Sequence, residues 1–244
     1  MKFLTYLQQT HWLARRTITD LIQNREVMLN GIIQDNFLVE VHPWDQYLIA
    51  SLGLSGIISQ PDTRRSQIIL FYKPVGYTVS KSDPHNDTIF DILPFEWKRI
   101  YYPIGRLDKD SCGLLLLTDN SVWVNQLSHP RYEHHKVYHV LLKQKWNPVD
   151  EAAMLQWITI YDEQWDEEIT LACDVIESIA WWVAITLHEG KNRHIRKMLG
   201  QLWYDIKELK RVSFCGVLLW DLFVGEYRIY NISDIDDFLS KIVG

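Results

Sequence analysis

The sequence is poor in the features that mark secreted, membrane-spanning and metal-dependent proteins. It has three cysteines in 244 residues, Cys112, Cys173 and Cys215, whose odd number and wide spacing fit neither a disulfide framework nor a zinc site. It has no run of eighteen apolar residues, and its N-terminus is soon polar, unlike a secretory signal. These absences predict a cytoplasmic protein without a membrane span or a bound metal.

The sequence also lacks a phosphate-binding glycine loop, so no nucleotide cofactor is expected. It lacks a net positive charge as well. Its formal net charge of −6 argues against an RNA partner, because phosphate contacts supply most nucleic-acid affinity. The charge is unevenly distributed, however. Residues 146–180 contain nine acidic residues and no Lys or Arg, whereas residues 186–211 contain seven Lys or Arg and three acidic residues. This separation is compatible with a basic face that contacts RNA.

Apolar and aromatic residues are abundant, at 47% and 13% of the chain. A chain of this length and composition folds around a sizeable core, in one domain or two. Residues 53–65 contain Gly56 and Pro61 and have no hydrophobic periodicity, which predicts a linker. The predicted organisation is therefore a small module at 1–52, a linker at 53–65 and a larger domain at 66–244.

The most distinctive stretch is residues 105–120, GRLDKDSCGLLLLTDN. The apolar run from Leu114 to Leu117 predicts a strand that is buried on both faces. Arg106 and Asp108 lie in a polar turn directly before this strand. A carboxylate held by a loop against a rigid strand suits a nucleophile or an acid–base group. The alternative is a tight turn in which both side chains only cap or pair with the backbone.

The segments around this stretch predict strands and helices in alternation. Residues 67–72 predict a strand that ends at the turn Lys73-Pro74-Val75-Gly76, and residues 121–128 predict a helix. Lys136 to Val140 alternates as a half-buried strand does, with Tyr138 at its centre. Residues 181–187 predict another strand, followed by a turn and a helix.

The start of that last helix is crowded with cations: Arg193, His194, Arg196 and Lys197. This placement opposes the helix dipole, whose N-terminal end prefers anions. An unfavourable local choice of this kind indicates that the cations serve a binding partner or a buried carboxylate.

In the small module, apolar residues at helical spacing predict two short helices, the second ending at Asn24 in a left-handed conformation. Asn30-Gly31 between apolar residues then predicts a hairpin with a type I′ turn. A different acidic group, Asp162, Glu163, Asp166, Glu167 and Glu168, lacks the spacing of a metal or glycosidase site. It predicts a solvated hairpin or helix face.

The ordered motifs resemble those of the RNA pseudouridine synthases, from about Ile68 to Arg228. The resemblance is to the branch of ribosomal small subunit pseudouridine synthase A, whose members isomerise single ribosomal RNA uridines and carry an N-terminal S-four-like RNA-binding domain. It implies an α+β fold in which a mixed, largely antiparallel catalytic sheet with helices follows a small α/β module of the alpha-L type. It also implies a monomer that needs no cofactor.

The resemblance implies a role for individual residues. Asp108 matches the nucleophile, Tyr138 matches the tyrosine that lies against the target base and helps to move a proton, and Arg196 matches the arginine that pairs with the nucleophile. Further positions correspond to residues expected to contact substrate or RNA: Arg106, Lys73, Arg193, His194, Lys197, Arg15, Arg16 and Arg25.

Several alternatives stay open at this point. The small module has four Lys or Arg against five acidic residues, so it also fits a generic helix–hairpin unit with solvated arginines. The chain also fits a non-catalytic RNA-binding or ribosome-assembly factor on the same scaffold, or a synthase directed at tRNA. A glycosidase would need a second acid near Asp108, for which Asp110 is the candidate. Neither the target uridine nor the point of attack, the anomeric carbon or the uracil ring, follows from the sequence.

Overall fold

A computed structural model of the chain describes residues 2–11, 13–58, 66–156, 158–162 and 167–231. The chain divides into two compact units, Met1–Arg65 and Ser66–Gly244. In the described ranges, no helix has both the length and the apolar character needed to cross a membrane.

The first unit contains two helices and a four-stranded antiparallel sheet. Its elements are α1 (Phe3–His11), α2 (Arg15–Gln23), β1 (Val27–Leu29), β2 (Ile32–Ile33), β3 (Gln46–Ile49) and β4 (Leu54–Ile57). The strand order is β2-β1-β3-β4, and the helices and the sheet share one hydrophobic core. Asn30 and Gly31 have φ angles of 50° and 77°, which confirms the predicted type I′ hairpin between β1 and β2. That this unit is of the alpha-L type stays a prediction.

Two details of the first unit differ from the predictions. The left-handed residue after α2 is Arg25 (φ 60°), whereas Asn24 has a φ of −78°. The first part of the predicted 53–65 linker is the strand β4, which pairs with β3. Gly56 was interpreted as a loop signal, but it lies in β4 directly opposite Tyr47 of β3. A Cβ at Gly56 would lie 2.8 Å from the Tyr47 hydroxyl oxygen, so glycine permits the Tyr47 side chain to pack closely against β4. The rest of that linker, 59–65, lies outside the described residues.

The second unit is built on a large mixed sheet. Its elements are β5 (Gln67–Lys73), α3 (Trp97–Ile100), β6 (Tyr102–Ile104), β7 (Cys112–Thr118), α4 (Ser121–Ser128), β8 (Lys136–Leu142), α5 (Glu151–Leu155), β9 (Ile158–Asp162), β10 (Glu167–Leu171), β11 (Val175–Ile179), β12 (Trp182–Leu187), α6 (His194–Gln201), β13 (Ile206–Phe214), β14 (Val217–Leu218) and β15 (Tyr227–Asn231).

Within the described residues the main sheet has the order β11-β12-β8-β13-β7-β5-β15, with β6 on β7 and β14 on β13. The β7–β13 pair is parallel and the other pairs described in this sheet are antiparallel. The predicted mixed, largely antiparallel sheet with helices is therefore confirmed.

The strand β7 is the centre of the second unit, and every residue in it is buried. Leu115 and Leu117 belong to the larger hydrophobic cluster on one side of the sheet, whereas Leu114 and Leu116 belong to a second cluster on the other side. The predicted burial of Leu114 to Leu117 on both faces is confirmed. Because β7 is rigid, the turn that precedes it has a fixed base.

The acidic group of residues 162–168 lies at the β9–β10 hairpin. Asp162 and Glu167 are opposite each other in this two-stranded sheet, and Glu168 is exposed. Glu163 and Asp166 lie outside the described residues. In the part of the chain that the structure describes, no group of three or more His, Cys, Asp or Glu side chains is placed to hold a metal ion.

Candidate active site

The turn before β7 opens onto a cavity of about 340 Å³ in the second unit. This turn, residues 105–111, is called the Asp108 turn below. Gly105 has a φ of 72°, which lets the chain leave β6 sharply, and the Ser111 amide donates a hydrogen bond to the Asp108 carbonyl at 3.1 Å. Asp108 is half-buried and lines the cavity. Among the described residues, no ion pair within 4.0 Å and no hydrogen bond engages its carboxylate.

Lys73 was predicted to contact substrate or phosphate, and the structure corrects this prediction. The side chain is fully buried at the end of β5. Its ammonium donates to three carbonyl oxygens: Pro74 at 2.9 Å, Asp108 at 3.1 Å and Ser111 at 2.8 Å. An ammonium has three donors, and all three are used inside the protein. Lys73 therefore supports the Asp108 turn from below and does not face the cavity.

Arg211, to which no role was assigned from the sequence, is another buried cation beneath the turn. It is 1% exposed, and it donates through Nε to the Leu114 carbonyl at 2.7 Å and through Nη1 to the Arg106 carbonyl at 3.3 Å. Its Nη2 has no hydrogen-bond partner among the described residues. Leu209, Arg211 and Ser213 alternate along β13 and are all buried in the structure. Because two of the three are polar, hydrophobic alternation did not predict this burial.

Tyr138 lies on β8 and lines the same cavity as Asp108, as its predicted role requires. In the sheet it is directly opposite Arg211 of β13 on one side and Ile185 of β12 on the other. It is 9% exposed, and in the described part of the chain its hydroxyl has no hydrogen-bond partner. A phenol in this position can stack on a ring and can donate or accept a proton.

Arg196 was predicted to pair with Asp108, and the structure shows a different partner. Arg196 Nε lies 3.2 Å from an oxygen of Asp110, and its Nη2 donates to the Asp110 carbonyl at 2.7 Å. Arg193, which precedes α6 in a left-handed conformation (φ 53°), binds the same carboxylate through two nitrogens, at 2.8 and 3.2 Å. The Arg196 guanidinium projects from the first turn of α6, and that of Arg193 projects from the residue before the helix. Both reach the exposed end of the Asp108 turn, where Asp110 is the acid that they contact.

These contacts determine the protonation state of Asp110. Burial opposes its ionisation, but the hydrogen bonds from Arg193 and the charge of Arg196 outweigh that effect and lower the pKa of Asp110. A carboxylate held by two guanidiniums is a structural anion. Asp110 is therefore poorly suited to be the second acid of a glycosidase.

His194 was predicted to face phosphates as a cation, and this prediction is also wrong. The imidazole is 4% exposed, and burial lowers the pKa of His194 to about 4. It is therefore neutral at physiological pH, because desolvation disfavours the charged form. His194 is also among the residues that line the cavity.

The remaining predicted RNA contacts fall into three groups. Arg106 and Arg193 are exposed and line the cavity, and Arg193 is held there by its ion pair with Asp110. Lys197 is half-buried, and neither it nor Arg196 is among the described residues that line the cavity. Three arginines of the first unit are exposed at the start and just after the end of α2: Arg15, Arg16 and Arg25.

The cavity contains the Asp108 carboxylate, which no described residue engages, the Tyr138 phenol and several cations at its rim. It is lined by residues of the Asp108 turn, by residues 187–195, and by Tyr138 and Arg211 among others. Lys191, Arg193 and Arg106 supply positive charge at the edge. Such a site suits nucleophilic or acid–base chemistry on a polar ring that is attached to an anionic chain.

Comparison with known proteins agrees with this chemistry. Residues 67–201 match the family model described as RNA pseudouridylate synthase. The chain is 29% identical to the dual-specificity RNA pseudouridine synthase RluF of Escherichia coli K12, covering 97% of this chain and 78% of that protein. It is 30% identical to the ribosomal large subunit pseudouridine synthase B of Bacillus subtilis, covering 88% and 86%.

A relative named for the other ribosomal subunit also matches. This protein, the ribosomal small subunit pseudouridine synthase A of Vibrio parahaemolyticus, is 26% identical, with 97% of this chain and 98% of that protein covered. Among solved structures, a crystal structure of a pseudouridylate synthase superimposes with a TM-score of 0.66 at 23% identity, covering 97% of this chain and 98% of that one. This likeness shows the same fold.

Proposed function

This chain belongs to the RNA pseudouridylate synthase family, and from that premise we propose that it isomerises a specific uridine of ribosomal RNA with Asp108 as the nucleophile. The family predicted from residues 105–120 is confirmed, and with it the class of enzyme, an isomerase. The observation that carries the proposal for Asp108 is its carboxylate. It lines the same cavity as Tyr138 and is not engaged by any described side chain.

The reaction needs a nucleophile and proton transfer but no oxidant. The bond between N1 of uracil and C1′ of ribose breaks and a bond between C5 and C1′ forms. C5 then loses its proton and N1 gains one, so the product is an isomer of the substrate. Asp108 attacks either C1′ or C6 of the ring, and both routes start from a free carboxylate. Tyr138 holds the face of the uracil and helps to move the proton from C5.

The position of Asp108 inside a cavity constrains the RNA. A base stacked in a duplex does not reach such a pocket, so the target uridine leaves its stack before reaction. We expect the enzyme to bind a loop or a partly opened helix, with Arg106 and Arg193 near the flanking phosphates. The exposed Arg15, Arg16 and Arg25 support an RNA-binding role for the first unit.

The names of the relatives support ribosomal RNA as the substrate. One is named for the large subunit, another for the small subunit, and a third for dual specificity toward RNA. Because these names differ, they do not select a subunit for this chain. We further propose that it acts as a monomer in the cytoplasm, in keeping with its three free, buried cysteines.

The test is pseudouridine formation in protein-free ribosomal RNA by the wild type and by Asp108→Asn, with Asp205→Asn as the matched control. Asp205 is exposed and pairs with Lys143 at the surface. We expect new pseudouridine at one position with the wild type and with the control, and none with Asp108→Asn, which should still bind the RNA. Turnover by Asp108→Asn would refute the nucleophile. Wild-type turnover on tRNA but not on ribosomal RNA would refute the substrate.

A further inference from the structure

His188 lines the active-site cavity, where the proposed reaction gives it no role. Its Nδ1 lies 2.6 Å from Oδ1 of Asp174, and its side chain is 45% exposed. A carboxylate oxygen accepts hydrogen bonds, so Nδ1 is the donor in this contact. Among the described residues, Nε2 has no hydrogen-bond partner. The pair therefore leaves one ring nitrogen for a bound molecule.

Backbone hydrogen bonds hold both members of the pair. Asp174 comes just before β11 and His188 just after β12, and these two strands are paired. The Asp174 amide donates to the Thr186 carbonyl at 2.9 Å, and Lys136 Nζ donates to the His188 carbonyl at 2.9 Å. A carboxylate on Nδ1 orients an imidazole and selects its tautomer. The ring is thus held from its backbone and from Nδ1 before a substrate binds.

The chemistry of Nε2 indicates which group of an RNA it suits. With Nδ1 as the donor, Nε2 is an acceptor on the neutral ring and a donor on the charged ring. A phosphate oxygen accepts only, so it needs the charged ring, whereas a hydroxyl donates and accepts and can bind in either state. Each RNA nucleotide carries such a group, the ribose 2′-hydroxyl. A uridine whose base enters the cavity brings its ribose to the cavity as well.

We propose that His188, positioned by Asp174, binds a ribose 2′-hydroxyl of the RNA, either that of the target uridine or that of a nucleotide directly next to it. This inference rests on the proposed function, because it takes the cavity to be the place where the target uridine reacts. The contact does not depend on which bases flank the target, and a DNA strand cannot make it.

The experiment is a double-mutant cycle between the protein and the RNA. The RNA is the ribosomal RNA fragment that the wild type modifies, made all-ribose or with a single 2′-deoxy nucleotide at the target or at either neighbour. The variants are His188→Ala, His188→Phe and Asp174→Ala. Phenylalanine keeps a ring without nitrogens, so His188→Phe remains informative if His188→Ala disturbs the cavity. The measurements are kcat/KM and the Kd of the RNA.

His135→Ala is the matched control. His135 Nδ1 lies 3.8 Å from the other oxygen of Asp174, but His135 is not among the described residues that line the cavity. This variant removes a histidine near the same carboxylate without removing the proposed contact. It should therefore keep the wild-type sensitivity to each 2′-deoxy substitution.

For the wild type we expect one 2′-deoxy substitution to lower kcat/KM and the affinity for RNA by about 3- to 10-fold, as the loss of one hydrogen bond does. Both His188 variants should show this loss already with the all-ribose RNA and lose nothing further with the same substitution. Asp174→Ala should reduce the sensitivity at that position, because the ring is no longer oriented.

A wild type that is insensitive to all three substitutions would overturn the proposal, and so would His188 variants that keep the full wild-type sensitivity. Full sensitivity in Asp174→Ala alone would overturn its positioning role. A wild type that binds RNA but modifies none would refute the proposed function separately. The affinities for an RNA strand and its all-deoxy counterpart would then decide the contact, and a preference for RNA that is unchanged in His188→Ala would rule it out.

Discussion

Gly113→Ala is expected to be among the most damaging small substitutions in this chain. Gly113 lies in β7 where that strand meets β13 in the parallel pair, directly opposite Arg211. Its φ is 106°, a conformation that residues with a side chain rarely adopt. A Cβ built there would lie 2.3 Å from the Arg211 carbonyl oxygen and 2.7 Å from its nitrogen, so the clash is with backbone that cannot rotate away.

The cost follows from two separate terms. Forcing a methyl group into a closely packed contact costs about 1–3 kcal/mol, because the neighbouring strands must move apart. Holding alanine at this φ costs about 1–3 kcal/mol more. Together these give a loss of about 2–6 kcal/mol, a large part of the ~5–15 kcal/mol that stabilises a typical protein.

The assay is urea unfolding followed by tryptophan fluorescence and by far-UV circular dichroism, since coincident curves show whether a single transition is observed in a chain with two units. At an m value of about 2 kcal/mol/M, the expected loss lowers the urea midpoint by about 2 M. Gly200→Ala is the matched control. Gly200 lies in α6 with no atom within 4 Å of the added Cβ, so alanine should stabilise the protein by about 0.5–1 kcal/mol. A loss below about 1 kcal/mol for Gly113→Ala would refute the close approach of β7 and β13.

Two further predictions concern α6. Asp110→Asn and Arg196→Met should show a coupling of about 1–3 kcal/mol in a double-mutant cycle of unfolding free energy, and additive effects would contradict their ion pair. Because burial lowers the pKa of His194 to about 4, the unfolded chain binds more protons than the folded one between about pH 6.5 and pH 4. Folding stability should therefore fall through this window as the pH is lowered, by up to about 3 kcal/mol. His194→Gln should lack this contribution, so equal pH slopes for the variant and the wild type would contradict the buried neutral imidazole.

The elements that could be predicted from the sequence are those governed by local patterns. The apolar run Leu114–Leu117 has the length and boundaries of a buried strand, Asn30-Gly31 has the backbone preference of one turn type, and residues 121–128 form a helix with the predicted bounds. In each case the deciding interaction lies within a few residues. Gly56 misled the linker prediction because its small size is required by Tyr47, a residue on a neighbouring strand.

The partners of long charged side chains could not be predicted in the same way. Motif order singled out Asp108, Tyr138 and the start of α6, which line one cavity in the structure. It did not determine whether Arg196 reaches Asp108 or Asp110, which lie two residues apart in one turn, nor whether Lys73 points into the cavity or beneath it. These outcomes depend on the packing of β5, β7 and α6 against one another, a property of the assembled sheet.

The choice of partners has a chemical consequence for the Asp108 turn. Three of the cations that reach this turn and the beginning of β7 donate to backbone carbonyls: Lys73 to residues 108 and 111, Arg211 to residues 106 and 114, and Arg196 to residue 110. A salt bridge to the Asp108 carboxylate would lower the free energy of this nucleophile in the unreacted enzyme. The salt bridge would then have to break before the carboxylate could attack the substrate. Cations that are bound to the backbone fix the geometry of the turn, while the carboxylate oxygens of Asp108 remain free to attack. The same arrangement explains why the turn tolerates so many charges beside a buried strand, since each of these cations is held by backbone carbonyls.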